Sequence, residues 1–86
     1  MENEIVIDSN RSSKSYRLAD GAQKPAGIAP QAQYVFYAMR DLAEFASPEE
    51  IGEKAVELGL KTRQPASRIV QYYIPTLNKF GIIEKS

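Results

Sequence analysis

The most constraining feature of the sequence is a stretch, residues 47–60, that carries the start and stop signals of one helix. Ser47 is a good N-cap, because its hydroxyl can accept a hydrogen bond from a backbone N–H that has no partner inside the helix. Pro48 suits the first helical position, and Glu50 completes a capping box with Ser47. Gly59 suits the left-handed conformation that ends a helix, and the leucine after it can fold back as an apolar contact.

A second helix is predicted to begin near Gln64-Pro65, because proline disfavours the α conformation in the preceding residue and is tolerated in a first turn. Pro75 falls on the face opposite the apolar stripe, so a kink there keeps its ring out of the core. Gly81 stops the helix, and Ile82-Ile83 is predicted to be a short strand. The apolar stripes of the two helices, which we expect to be buried, contain Ile51, Ala55, Leu58, Ile69, Val70, Tyr73, Ile74, Leu77 and Phe80.

The end of the chain carries a family resemblance. The run from Arg68 to Leu77, followed by Phe80-Gly81-Ile82-Ile83-Glu84, resembles a winged helix-turn-helix domain. In that family a recognition helix runs into a Leu-x-x-x-Gly-apolar-apolar-Glu ending and then into a β wing. The resemblance covers residues 32–86. It implies a mainly α, three-helix domain with a small β element, and a DNA-binding protein that regulates transcription.

The sequence departs from the family pattern at the wing. Only Lys85 and Ser86 follow Glu84 in the sequence, so we do not expect the usual two-stranded wing. The strand at Ile82-Ile83 therefore needs another partner, because a lone strand leaves backbone groups unpaired. The run Glu4–Asp8 is the expected partner.

Residues 1–29 are predicted to form an arm or a β-hairpin plus linker, and residues 30–86 to form the winged-helix-like domain. Glu4–Asp8 and Ser15–Ala19 are short β-like runs on either side of a turn-rich segment. A hairpin and a mobile arm both stay open, since an isolated hairpin is only marginally stable in water. Asp20–Gln31 contains two glycines and two prolines and is predicted to be a linker.

A further helix is predicted from Pro30 to Phe45. Its inner stripe is Val35, Met39 and Leu42, flanked by Ala38 and Phe45. The aromatic side chains Tyr34, Phe36 and Tyr37 cannot all face one core. We expect some of them either to cover the N-terminal segment or to contact a second subunit.

Catalysis is not expected, because the 86 residues contain neither Cys nor His. Their absence removes thiolate nucleophiles, sulfur metal sites, disulfides and the commonest general base. The carboxylates of Glu49, Glu50, Glu53 and Glu57 occupy the first turn and outer face of a helix, which favours capping and solvation. No cofactor or metal is predicted. The absence of a long apolar run or a signal peptide predicts a cytoplasmic protein.

The formal net charge is zero, but the charges are unevenly distributed. Residues 41–57 contain six acids, whereas residues 58–83 contain none, and residues 9–19 form a second acid-free stretch that carries Arg11. Arg can pair with guanine and Gln with adenine, while Ser, Thr and Tyr suit phosphates. The predicted DNA-binding residues are Lys61, Arg63, Gln64, Ser67, Arg68, Gln71, Tyr72, Lys79, Lys14 and Arg17.

The resemblance divides these residues by role. In winged helix-turn-helix proteins the N-terminal part of the recognition helix enters the major groove. This implies that bases are contacted by Arg63, Gln64, Ser67, Arg68 and Gln71. Tyr72 and Lys79 would lie nearer the DNA backbone, and the basic arm would replace the missing wing.

Three further interpretations remain open beside double-stranded DNA binding. The zero net charge and the acidic helix favour a protein–protein interaction adaptor that uses the same fold without DNA. A homodimer is also compatible with the sequence. The simplest alternative is an ordinary solvated face, which any surface helix has.

Overall fold

A computed structural model describes residues 14–86, which form three helices and one two-stranded antiparallel sheet. The predicted class, mainly α with a small β element, is confirmed. In chain order the elements are strand β1 (Tyr16–Leu18), helix α1 (Pro30–Leu42), helix α2 (Pro48–Leu58), helix α3 (Ala66–Asn78) and strand β2 (Ile83–Lys85).

Helix α2 begins and ends where its sequence signals predicted. The Glu50 backbone N–H donates to Ser47 Oγ at 3.2 Å, and the Ser47 N–H donates to Glu50 Oε1 at 2.9 Å, so both halves of the capping box are present. Gly59 has a φ of 121° and ends the helix. The Leu60 N–H then donates to the Ala55 carbonyl at 2.9 Å, which turns the Leu60 side chain back into the core.

Helix α1 begins at Pro30 as predicted but ends at Leu42, three residues before the expected Phe45. Ala43 takes a left-handed φ of 57° and stops the helix. Ala46 and Tyr16 then exchange two backbone hydrogen bonds of 2.9 Å. The residues after α1 therefore lie against the sheet. Their pairing with Tyr16 joins residues far apart in the sequence, so the helical periodicity of α1 does not reveal it.

The core lies between the three helices and is closed by the sheet. Its buried members are Val35, Ala38, Met39, Ala46, Ile51, Ala55, Leu60, Ile69, Val70, Ile74, Leu77 and Ile83. The predicted burial of Ile51, Ile69 and Leu77 is confirmed.

Three residues predicted to be buried are not. Leu58 is 40% exposed, because it is the last residue of α2 and Leu60 closes the core at that end. Phe80 is 51% exposed, because α3 ends at Asn78 and the helical repeat no longer applies beyond it. Tyr73 is only half-buried, although it packs against the core.

The aromatic residues of α1 differ in burial, because they lie on different faces of the helix. Phe36 is fully buried, whereas Tyr34 and Tyr37 are half-buried. Tyr34 packs against the core and lies close to Gly59, while the Arg40 guanidinium sits 4.8 Å from the centre of the Tyr37 ring.

The sheet pairs β1 with β2 in the register Tyr16 to Lys85 and Leu18 to Ile83. The strand near the C-terminus thus has the second predicted β-like run as its partner, and it spans Ile83–Lys85 rather than Ile82-Ile83. The predicted pairing with Glu4–Asp8, and the hairpin that includes it, lie outside the described residues.

Replacement of Leu77 by Ala tests the helix register. Leu77 is fully buried between the helices, so the substitution should lower the free energy of unfolding by about 2–5 kcal/mol. Urea denaturation of both proteins measures the difference. The matched control is Leu58→Ala, which removes the same atoms from a half-exposed site and should cost clearly less. A loss at Leu77 below about 0.5 kcal/mol, typical of a surface site, would contradict the register.

Candidate functional site

The position of α3 against α2 is set by a close approach at Gly52. A Cβ atom built on Gly52 would lie 2.9 Å from the Ala66 carbonyl carbon, the Ala66 Cβ and the Ser67 backbone nitrogen. Side chains do not tolerate such distances to backbone atoms, so only glycine allows this packing. The first turn of α3 is therefore held against the middle of α2, and the rest of α3 presents one face outward.

The outward face of α3 is a polar stripe that is interrupted only by Pro75. Its members recur at spacings of three or four residues, which places them on one side of a helix. Tyr72 is 71% exposed, and no member of the stripe is acidic. The exposed members are Arg68, Gln71, Tyr72, Pro75 and Lys79.

The turn between α2 and α3 contributes a second group of polar side chains. Lys61, Thr62, Arg63 and Gln64 line a surface depression of about 610 Å³ together with Gln31 and Ile69. The Gln64 backbone N–H donates to Thr62 Oγ1 at 3.1 Å, which orders the turn locally. Lys61 and Arg63 are exposed, and no carboxylate lines this depression.

Ser67 does not lie with the basic residues. It is half-buried and lines a different depression, on the side of α3 that faces α2, together with Glu49, Glu53, Val56 and Ala66. The N-terminal end of the α3 dipole is positive, so these carboxylates are stabilised beside it. The predicted base-contacting set is therefore split, because Ser67 lines an acidic depression whereas Arg63 and Gln64 line the acid-free one.

Arg17 is held in the sheet. Its Nε donates to Glu84 Oε1 at 2.7 Å, and its guanidinium carbon lies 4.5 Å from the centre of the Phe45 ring. Both charged side chains are about two-fifths exposed, so the pair contributes little to stability. Lys14 is exposed, and Arg11 lies outside the described residues.

The basic residues of α3 and its preceding turn have no acidic partner within residues 14–86. The salt bridges in this part of the chain are Arg17–Glu84 and Lys54–Glu57. The hydrogen bond from Lys54 to Glu57 raises the pKa of Lys54, and the Glu57 charge adds to the shift. On α2, then, a cation is paired with an acid, whereas Lys61, Arg63, Arg68 and Lys79 form no salt bridge with any acid of the described part of the chain.

Sequence reasoning missed Lys85. Together with Tyr16 and Asn78 it lines a depression that also contains Gln71, Ile74 and Pro75. The sequence does not determine the register of a three-residue strand. It therefore does not show on which side of the sheet Lys85 lies.

Residues 14–86 contain no group of three or more Asp, Glu, His or Cys side chains that could hold a metal ion. No helix in this part of the chain is long and apolar enough to cross a membrane. Comparisons with protein-family models, curated proteins and solved structures give no match. A function for the chain must therefore be inferred from its own residues.

Replacement of Gly52 by Ala tests the close packing of α2 and α3. Alanine favours a helix interior by roughly 0.5–1 kcal/mol over glycine, so an unconstrained site would be stabilised. Here the added methyl group meets the backbone of α3, and we expect a destabilisation of about 1–3 kcal/mol in urea denaturation. The control is Glu53→Ala at the next, exposed position. A stabilised Gly52→Ala protein would contradict the packing.

Proposed function

We propose that the chain is a winged-helix-type DNA-binding domain that acts as a transcriptional regulator and inserts α3 into the major groove. Helix α2, the turn at 59–65 and helix α3 have the order of a helix-turn-helix, and β2 follows α3 directly. With side chains a helix is about 10–12 Å across, and the major groove is about 12 Å wide, so the fit is sterically sound.

The observation that carries the proposal is the acid-free outward face of α3 and its continuation into the basic turn. DNA presents a dense row of phosphates, so carboxylates on a face that enters a groove are repelled and weaken binding. Arg68, Gln71 and Tyr72 are exposed on that face, and Lys61 and Arg63 are exposed in the turn. A helix face that serves only solubility can carry acids and bases together, so it needs no separation of acidic from basic residues.

The side chains divide into two roles. Arg68 and Gln71 lie in the first half of α3, where a helix in the major groove reaches base edges, and their donors match guanine and adenine. Arg63 comes just before the helix and is the other main base contact. Lys61 and Lys79, at the two ends, suit phosphates, whose contacts position the helix without reading sequence.

A second candidate function is supported by the acidic depression beside the start of α3. Glu49 and Glu53 flank Val56, which is half-exposed, and this combination suits a basic or amphipathic segment of a protein partner. In this adaptor interpretation α3 and α2 form a protein-binding surface and DNA is not bound.

Alanine substitutions of Arg63 and Arg68 test the DNA interpretation. A duplex enriched from a random pool, and a scrambled duplex of the same length, are titrated at about 50 mM salt, where phosphate contacts are strong. Loss of a base contact should weaken binding to the enriched duplex by about 1–3 kcal/mol and spare the scrambled one. Fluorescence anisotropy measures both affinities. Equal losses of affinity for the two duplexes would show that the arginine contacts phosphate and not a base.

The matched charge controls are Glu49→Gln and Glu53→Gln. Removal of these carboxylates should strengthen DNA binding slightly or leave it unchanged, because they lie beside the groove-facing helix. The DNA interpretation fails if the wild-type protein does not bind any duplex at micromolar concentration. If the same two substitutions then abolish the capture of a basic peptide, the adaptor interpretation is supported.

A further inference from the structure

We propose that Lys85, with Tyr16 and Asn78, forms a phosphate-binding subsite that holds the DNA backbone beside the groove entered by α3. This inference rests on the proposed function. The subsite is the depression between the last turns of α3 and the end of the sheet, with a volume of about 200 Å³.

The two-residue repeat of β2 places Lys85 on the side of the sheet that faces α3. Ile83 is buried in the core, so the side chain two residues later lies on the same side. Tyr16 is the direct partner of Lys85 in the register and lies beside it. Glu84 falls on the opposite side, where it binds Arg17. The strand pairing thus separates the one acid of β2 from the lysine that follows it.

The lining of the depression suits an anion. Lys85 supplies an ammonium group, Tyr16 a hydroxyl, and Gln71 and Asn78 supply amide donors. Ile74 and Pro75 provide the apolar part of the surface, and no carboxylate lines it. These are groups that commonly contact phosphate and sugar in protein–DNA complexes.

The position of the depression selects the DNA backbone as the ligand. Gln71 and Pro75 belong both to the outward face of α3 and to this depression, so the two surfaces are continuous. A duplex whose major groove receives α3 has a sugar-phosphate strand along each edge of that helix. One strand lies on the side of the turn that carries Lys61 and Arg63, and the other lies on the side of Lys85.

A purely structural role for Lys85 is the competing explanation. The C-terminal end of a helix carries about half a negative charge, and the last turn of α3 has no basic residue. Lys85 could compensate that charge. The two roles are compatible, however, because an ammonium group has three hydrogen-bond donors and can contact a phosphate while it faces the end of α3.

The test compares Lys85→Ala, Lys85→Arg and Lys24→Ala. Lys24 is an exposed lysine in the loop between β1 and α1, so its removal changes the net charge equally and leaves the depression intact. Affinities for the enriched and scrambled duplexes are measured over a salt series, and thermal unfolding is recorded for every variant.

Lys85→Ala should lower the affinity for both duplexes equally, by about 15-fold at most at 50 mM salt. It should also reduce the slope of the logarithm of the binding constant against the logarithm of the salt concentration by about 0.9. Lys85→Arg should retain affinity and slope, and Lys24→Ala should resemble the wild type. If Lys85→Ala lowers the unfolding temperature but binds like Lys24→Ala, the subsite is refuted and the DNA function stands. If the wild type binds no duplex, the DNA function and the subsite both fail.

Discussion

The contact of Gly52 with the first turn of α3 is the constraint on which the rest of the structure depends. It brings two helices to a backbone separation that leaves no room for a side chain. Ile51 and Ala55, on either side of that glycine, then share one buried cluster with Ile69 and Val70 of α3. Because these contacts fix the rotation of α3 about its axis, they also decide which of its residues face outward. The candidate interface is a consequence of core packing.

The small sheet joins parts of the chain that are far apart in the sequence. Two three-residue strands would be marginal alone, and they are stabilised here by packing on the helices through Leu18 and Ile83. Tyr16 pairs with Ala46 as well as with Lys85, so β1 connects the loop before α2 to the strand after α3. That connection places Lys85 beside Gln71 and Pro75 on the outward face of α3.

Local signals predicted both ends of α2 and the start of α1, whereas the end of α1, the burial of side chains and the pairing of strands depend on the tertiary structure. The capping box of Ser47 and the stop at Gly59 involve neighbouring residues only, so the sequence contains the whole interaction. Leu58 and Phe80 continue an apolar repeat, yet their burial depends on whether another element covers them. The partner of β2 is separated from it by most of the chain. Gly52 carries a sequence signal of its own, because a glycine inside a helix is destabilising and implies a packing reason.

The distribution of acids explains how a neutral chain could bind DNA and where the contact would lie. At physiological salt a charge is screened over about 8 Å, so acids elsewhere on the surface matter little to a bound phosphate. Glu49 and Glu53 are different, because they share a depression with Ser67. They repel phosphate beside the first turn of α3. In the proposed complex the backbone contacts therefore concentrate at Lys61 in the turn before α3 and at Lys85 at the end of the sheet, whose depressions are lined by no carboxylate.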